Sequence, residues 1–254
     1  MIIAIDVGNT NITVGCIEKK GIVFVERLSS NRHRTEMEYA ISFKSILDLH
    51  RVSPEQIEGG IIASVAPELT DVLRGALQKF SIERILVVGP GVKTGMNILI
   101  DNPGQLGSDL LVDAVAAAAE YPLPAIIVDM GTATTLCVVN EKKQYIGGVV
   151  LPGVRCALDS LVSTTSLLPQ ISLEAPKTVI GKNTIDAMKS GVIFGNAAAI
   201  DNMVLRIERE LGRKCHVVAT GGLAPAVIPY CDHDIAIDKD LLLKGLKIIY
   251  DKNR

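Results

Sequence analysis

The sequence lacks an excess of charge of either sign. Its 26 lysine and arginine residues against 28 aspartate and glutamate residues leave a formal net charge of −2 at pH 7. A protein that binds nucleic acid or an anionic membrane through a basic patch carries a surplus of positive charge. We therefore expect no nucleic acid and no membrane among its partners, whereas small neutral or anionic ligands remain open.

Cysteine is scarce and dispersed, and long apolar runs are missing. Five cysteines stand at positions 16, 137, 156, 215 and 231, without the spacing of a zinc site or a disulfide framework. The most apolar stretch, residues 110–139, is interrupted by Asp113, Glu120 and Asp129. Such a stretch is too broken to span a bilayer, and the start, MIIAID, does not resemble a signal peptide. A cytoplasmic location is therefore expected.

The chain as a whole is 48% hydrophobic. In its first half, short apolar runs and amphipathic stretches alternate. Runs at residues 2–5, 12–17 and 22–28, joined by turns rich in Gly and Asn, predict an antiparallel meander. Thr35 and Glu38 form a capping-box pattern before one amphipathic helix, and Pro67 begins another. Strands are expected at residues 60–65 and 84–88, so the pattern predicts the α/β class.

The second half repeats this pattern. Residues 97–107 are polar and predict a loop, and a helix is expected from Asp109 to Tyr121. Strands are predicted at residues 125–128, 135–139 and 145–150, and helices from residue 154, over residues 184–211 and from residue 238 onward. We place the domain boundary in the YPLP region and expect two domains, residues 1–118 and 119–254.

An internal repeat supports this division. Aligning IIAIDVGNTNITVGCI, residues 2–17, with AIIVDMGTATTLCVV, residues 125–139, requires no gap. The alignment superposes Asp6 on Asp129, Gly8 on Gly131 and Asn11 on Thr134. An apolar strand, an aspartate, a glycine, small polar residues and a second strand follow in the same order each time. The repeat predicts a duplicated domain with two facing hairpins.

These hairpins have the composition of phosphate-binding turns. Glycine lets a ligand approach the backbone, so that successive N–H groups can point at a phosphate. An aspartate at the strand end suits Mg²⁺ held partly through water. One such turn is also typical of an ordinary β-hairpin, but two in matching positions favour a ligand site. A third motif, HVVATGGLAP at residues 216–225, puts paired glycines at a strand end, where a flat ring such as adenine can approach closely.

Three motifs in this order resemble the superfamily of acetate and sugar kinases, Hsp70 and actin. A narrower resemblance, spread over nearly the whole chain, rests on DVGNTNITVG, DNPGQLGSD, DMGTATT, GGVVLPG, GKNT and ATGG. These strings look like the type III pantothenate kinases, which phosphorylate pantothenate in the first step of coenzyme A synthesis. The resemblance implies duplicated actin-like (ribonuclease H-like) domains, each a mixed sheet flanked by helices. It also implies a homodimer with sites completed across the interface.

The resemblance assigns roles to individual residues. Asp109 would be the catalytic base that takes the proton from the pantothenate hydroxyl. ATP would be bound with Mg²⁺ near Asp6, and Asp129 would bind a monovalent cation, K⁺ or NH₄⁺. The ATP-binding residues would be Asp6, Val7, Gly8, Asn9, Thr10, Asn11, Ile12, Thr13, Thr132, Gly221 and Gly222. The substrate-binding residues would be Ile100, Gly107, Ser108, Asp109, Leu110 and Thr184.

Simpler interpretations exist for three of these residues. Asp109 also fits the N-cap of an apolar helix, and Thr184 fits the N-cap of the helix that follows it. Asp129 fits a turn residue or a second carboxylate beside Mg²⁺. Without the resemblance, the residues alone favour the N-cap for Asp109.

Two positions depart from the commonest family pattern. Leu110 stands where many members have Arg, and Ile100 stands where many have Tyr. Arg offers charged donors to a carboxylate and Leu offers none. The pantothenate carboxylate must therefore contact other groups, such as backbone N–H groups of residues 107–110, or the substrate preference is altered.

Two other functions share the fold. A regulatory relative, such as a transcription accessory factor, would keep the fold and could keep nucleotide binding, but the intact Asp6, Asp109 and Asp129 argue against it. A filament-forming ATPase has less support, because the chain is short and shows no insertions for filament contacts. Fold similarity alone does not separate these functions.

Overall fold

The structure is a computed structural model and describes all 254 residues. Its strands are β1 (Ile2–Val7), β2 (Asn11–Glu18), β3 (Gly21–Ser29), β4 (Gly59–Ser64), β5 (Ile85–Val87), β6 (Asn97–Ile98), β7 (Ala125–Met130), β8 (Ala133–Val139), β9 (Gln144–Pro152), β10 (His216–Thr220) and β11 (Ile235–Ile237). Its helices are α1 (Glu36–Leu49), α2 (Pro67–Gln78), α3 (Ser108–Glu120), α4 (Val154–Thr164), α5 (Thr184–Leu211), α6 (Ala224–Val227) and α7 (Leu241–Lys252). No helix combines the length and the apolar character needed to cross a membrane.

The chain folds into two compact units. The first comprises Met1–Met96, Asp101–Ala116 and Leu241–Arg254, and the second comprises Asn97–Ile100 and Ala117–Asp240. This division differs from the predicted domains at the C-terminus, because α7 belongs to the first unit. Its apolar side chains pack on β1 and β4, which no local sequence pattern could reveal.

The first unit is built on a five-stranded mixed sheet in the order β3-β2-β1-β4-β5. The predicted meander is confirmed, since β1 pairs antiparallel with β2 and β2 with β3, while β4 lies parallel to β1. Successive residues of β1 point to opposite faces. Ile3 and Ile5 pack with helices α1 and α2, whereas Ile2 and Ala4 pack with α3 and α7. Helices on both faces explain why β1 is apolar at every position up to Asp6.

The predicted capping box begins α1 and is confirmed. The Thr35 backbone N–H donates to Glu38 Oε2 at 2.8 Å, and the Glu38 backbone N–H donates to Thr35 Oγ1 at 3.4 Å. These two bonds satisfy donors that the first turn of a helix leaves unpaired. They define where the segment after β3 ends and α1 begins.

The second unit contains a six-stranded mixed sheet in the order β11-β10-β7-β8-β9-β6. Strands β7, β8 and β9 form an antiparallel meander, and β10 lies parallel to β7. This arrangement repeats β1, β2, β3 and β4 of the first unit. The predicted fold class, a duplicated α/β architecture with two mixed sheets flanked by helices, is confirmed.

Two short strands depart from the expected pattern. Residues 97–107 were expected to form a loop, but Asn97 and Ile98 form β6 and pair with β9. Strand β11, which pairs with β10, was not predicted. Strands of two or three residues carry no readable alternation of polar and apolar side chains, so only their long-range partners define them.

Candidate active site

The first hairpin joins β1 to β2 through a tight turn. The Gly8 N–H donates to the Asn11 carbonyl at 3.0 Å. The side chains of Asn9, Thr10 and Asn11 are exposed, whereas Asp6 is half-buried. The turn therefore presents hydrogen-bonding groups to solvent at the end of a strand that is buried except at Asp6.

Asp6 belongs to the sheet face that α3 and α7 cover. It alternates with Ile5 and shares the face of Ala4, which packs in the cluster containing Val112 of α3. Thr13 is directly opposite Asp6 on β2 and lies on the same face. The carboxylate and the hydroxyl are thus neighbours on the side where α3 packs.

Asp109 lies in the first turn of α3, in the same unit as Asp6. Its Oδ1 accepts a hydrogen bond from the Leu110 N–H at 2.9 Å. Burial raises the pKa of Asp109 above its ordinary value, although backbone hydrogen bonds, that of Leu110 first, act in the opposite direction. A buried carboxylate with a raised pKa is a better proton acceptor than one in water.

Two hydrogen bonds of Ser108 join the start of α3 to the end of β4. Its Oγ accepts from the Ser64 N–H at 2.9 Å and donates to the Ser64 carbonyl at 3.0 Å. Ser64 is paired with Val7, the residue after Asp6. The helix that carries Asp109 therefore begins beside the strand ends from which the first hairpin projects.

Replacing Asp109 with Asn should raise the melting temperature at neutral pH. Since the folded state raises this pKa, it binds the proton more tightly than the unfolded chain, and stability falls as pH rises through the interval between the two pKa values. Asn removes the partly desolvated charge, and its Oδ1 can still accept from Leu110 N–H. Each ~1 kcal/mol gained would appear as about 2–4 °C in a thermal melt. The difference should vanish under acidic conditions, and a variant that melts at or below the wild-type temperature at pH 7 would contradict this.

The second hairpin joins β7 to β8 in the second unit. The Gly131 N–H donates to the Ala133 carbonyl at 3.0 Å, and Thr132 is exposed at the turn. Asp129 is half-buried one residue before the end of β7 and pairs with Thr220 of β10. The second aspartate motif and the TGG motif thus lie at the same edge of one sheet.

Gly221 contacts Asp129 closely. Its φ is +89°, and a Cβ at this position would lie 2.6 Å from Asp129 Oδ1 and 2.7 Å from the Met130 backbone. Only glycine satisfies both the backbone conformation and the space. The glycine of the TGG motif is therefore needed where β7 and β10 end side by side.

Thr135 is a site residue that the sequence did not single out. It is directly opposite Asp129 on β8, so the two side chains share a face, and its buried Oγ1 makes no hydrogen bond. Thr134, aligned with Asn11 in the repeat, is buried and points to the opposite face, whereas Asn11 is exposed. The DMGTATT string contains both threonines, but only the strand register shows which one faces Asp129.

The remaining predicted residues are distributed between the two units. Gly107, Ser108 and Leu110 belong to the first unit, and Ile100, Thr184 and Gly222 belong to the second. Thr184 is exposed in the first turn of α5. The N-cap of α5 is Asn183, whose Oδ1 accepts from the Asp186 N–H at 2.9 Å, so the N-cap interpretation of Thr184 is wrong.

A model of the family described as type III pantothenate kinase matches residues 2–206. This match covers most of the chain, including both hairpins and the first turn of α3. The chain belongs to the type III pantothenate kinase family. The resemblance read from the motifs is thereby confirmed.

Full-length relatives in the type III pantothenate kinase family agree with this. A type III pantothenate kinase from Exiguobacterium sp. strain AT1b is 44% identical over 254 residues, with both chains covered completely. Another, from Halalkalibacterium halodurans, is 43% identical over 253 residues, again with 100% of each chain covered. The similarity therefore extends beyond the short motifs.

Solved structures show the fold at lower identity. A protein from Campylobacter jejuni, described as a Baf family transcriptional activator, has a TM-score of 0.60 at 21% identity and covers 99% of this chain and 98% of its own. A protein from Sinorhizobium meliloti, described as a 2-dehydro-3-deoxygalactonokinase, has a TM-score of 0.57 at 13% identity, covering 99% and 96%. At these identities the likeness supports the sugar-kinase and actin-like fold and nothing more specific.

Proposed function

We propose that this chain transfers the γ-phosphate of ATP to the hydroxyl of pantothenate, the first step of coenzyme A synthesis. The family match supports the reaction, and one geometric observation supports its catalytic centre. Ser108 holds the helix start carrying Asp109 against Ser64, beside the strand that carries Asp6. A base and a phosphate-binding turn are thus parts of one rigid framework.

Three turns would bind ATP: the two hairpins and the turn that follows β10. The first hairpin, from Asp6 to Thr13, binds the phosphates through its backbone N–H groups and its exposed amide and hydroxyl side chains. Thr132 of the second hairpin contributes a further hydroxyl. Gly221 and Gly222 allow adenine to approach the end of β10.

Asp109 accepts the proton of the pantothenate hydroxyl as that oxygen attacks the γ-phosphorus. Phosphoryl transfer depends mainly on positioning and charge neutralisation, and the base orients the nucleophile. The half-buried position of Asp109 and its raised pKa suit this role. The bond from Leu110 N–H fixes the carboxylate direction.

The oxygen donors fit the two cations that we propose. One half-buried carboxylate, Asp6, together with the opposing Thr13 hydroxyl, suits Mg²⁺, which prefers few protein oxygens and retains water. When bound, Mg²⁺ would neutralise phosphate charge. Asp129 and the unsatisfied Thr135 hydroxyl offer oxygens on one face for K⁺ or NH₄⁺.

The potassium dependence should distinguish Thr135 from Thr134. Both hydroxyls are buried without hydrogen bonds, but only Thr135 shares the face of Asp129. In Thr135→Val we expect the K⁺ concentration for half-maximal activity to rise about tenfold, the effect of losing one buried oxygen contact. Thr134→Val is the matched control and should keep the wild-type K⁺ dependence. Titrating activity with K⁺ at constant ionic strength checks this; equal K⁺ curves for the two variants would contradict the cation site.

The pantothenate carboxylate requires a partner other than the usual arginine. Leu110 has an apolar side chain, and its N–H already donates to Asp109 Oδ1. Of the backbone N–H groups of residues 107–110, those of Leu110 and Asp109 are therefore engaged by the proposed base. We expect the other donors of this segment to contact the carboxylate.

A homodimer completes the proposed site through Thr184, which would reach the pantothenate of the partner. Four large apolar side chains are exposed in the segment before α5 and in its first turn, namely Leu167, Val179, Ile180 and Ile185. Exposed apolar groups in one segment are typical of a protein contact surface.

We propose that the enzyme is located in the cytoplasm.

Pantothenate-dependent ADP formation tests the function. The purified chain with ATP, Mg²⁺ and K⁺ should release ADP in proportion to added pantothenate. A regulatory relative would bind ATP without this turnover. ADP release that does not respond to pantothenate would refute the proposal.

A further inference from the structure

Ser30 contacts the turn of the first hairpin from the segment that follows β3. Its backbone N–H donates to the Thr10 carbonyl at 2.9 Å, and its Oγ donates to the Gly8 carbonyl at 2.6 Å. The bond from Oγ crosses 22 residues of sequence. We propose that Ser30 is a positioning residue that orients the first hairpin for the phosphates of ATP, an inference that rests on the proposed function.

The directions of the peptide groups support this role. The Gly8–Asn9 peptide is trans, so the Gly8 carbonyl and the Asn9 N–H point in opposite directions. Because Ser30 engages the carbonyl, the Asn9 N–H is turned away from Ser30. Carbonyl oxygens repel phosphate, whereas N–H groups attract it. Ser30 thus fixes the turn in the orientation that keeps an acceptor away from an anionic ligand.

The neighbour of Ser30 is itself held by a buried side chain. The Asn31 N–H donates to Tyr39 Oη at 3.0 Å, and Tyr39 Oη donates to the Asn31 carbonyl at 3.0 Å. Tyr39, on α1, is completely buried in the core of the first unit. Hydrogen bonds therefore connect helix α1, through Tyr39, to the Asn31 backbone, and the adjacent Ser30 connects this segment to the turn of the first hairpin.

The arginines next to Ser30 are engaged elsewhere. Arg32 pairs with Glu68 at 2.7 Å, and the Arg34 guanidinium lies over the ring of Tyr39 at 5.7 Å. Neither interaction involves the turn. From this segment the turn is therefore held by the backbone N–H and the hydroxyl of Ser30 rather than by the basic side chains beside it.

Equilibrium binding of Mg-ATP, which needs no turnover, and steady-state kinetics together test the role of Ser30. Ser30→Ala should weaken Mg-ATP binding, and raise KM for ATP, by about fivefold, the effect of one lost hydrogen bond. KM for pantothenate should stay at the wild-type value. Ser30→Thr keeps the hydroxyl and should restore ATP binding. Ser29→Ala, at the exposed neighbouring hydroxyl, is the matched control and should bind as wild type.

The outcomes separate this inference from the proposed function. Unchanged Mg-ATP affinity in Ser30→Ala, or equal rises of both KM values, would overturn the positioning role even if pantothenate is phosphorylated. A lower melting temperature without weaker ATP binding would overturn it as well. Weaker ATP binding in Ser30→Ala, restored by Thr, supports the role even if the wild-type chain fails to phosphorylate pantothenate.

Discussion

Replacing Asp109 with Asn should lower kcat for pantothenate phosphorylation by about 10²- to 10⁴-fold, the range for loss of a positioned general base. KM for ATP should change little, because the first hairpin is untouched. Asn has the same shape and can still accept the Leu110 N–H bond that orients Asp109. Steady-state kinetics with both substrates varied checks this expectation.

The matched control for Asp109 is Asp48→Asn. Asp48 is an exposed carboxylate of α1 in the same unit, and its ion pair with Lys44 lies on the helix surface. This variant should keep wild-type kcat. If Asp109→Asn also turned over at the wild-type rate, Asp109 could not be the base.

Replacing Gly221 with Ala should have the second large effect, on ATP binding and on folding together. The new Cβ would lie 2.6 Å from Asp129 Oδ1 and 2.7 Å from backbone atoms of Met130. Backbone atoms cannot move aside as a flexible side chain can, and a φ of +89° adds about 1 kcal/mol of strain for Ala. We expect ATP affinity to fall at least about tenfold as the strand ends separate, by the relation between affinity and free energy.

Isothermal titration with Mg-ATP and a thermal melt measure the two effects of Gly221→Ala. Gly195→Ala is the control in the same unit, because Gly195 lies within α5 and its Cβ would meet no atom within 4 Å. Alanine is the better helix former, so this control should melt slightly higher with unchanged affinity. Normal ATP affinity and stability in Gly221→Ala would show that the TGG turn is not constrained as described.

The local parts of the fold could be predicted from the sequence. Apolar strands such as β1 and β2, and glycine-rich turns such as the one at Gly8, depend on neighbouring residues, so their signals are contained in short windows. The partner of each strand and helix depends on distant residues. The parallel pairing of β4 with β1 and the packing of α7 on the first sheet could therefore be seen only in the structure.

The residues of the candidate site likewise include some that could be predicted from local motifs and some whose contacts could not. Asp6, Asp109 and Asp129 belong to motifs with a recognisable order, so the sequence could nominate them. Ser30 and Thr135 were not nominated, and Ser108 was nominated only by its motif. The contacts of all three depend on partners that are distant in the chain or on strand register; the Ser108 bonds cross 44 residues. Serine and threonine are common in turns, so their presence in a sequence carries little information about such contacts.

Direct identification of the product tests the proposed reaction most directly. The purified chain, incubated with ATP, Mg²⁺, K⁺ and pantothenate, should form a phosphomonoester on the pantothenate hydroxyl. Phosphorus NMR together with the product mass would identify it, and Asp109→Asn should form about 10²- to 10⁴-fold less of it in the same time. ATP consumption without a pantothenate phosphomonoester from the wild-type chain would contradict the proposed function.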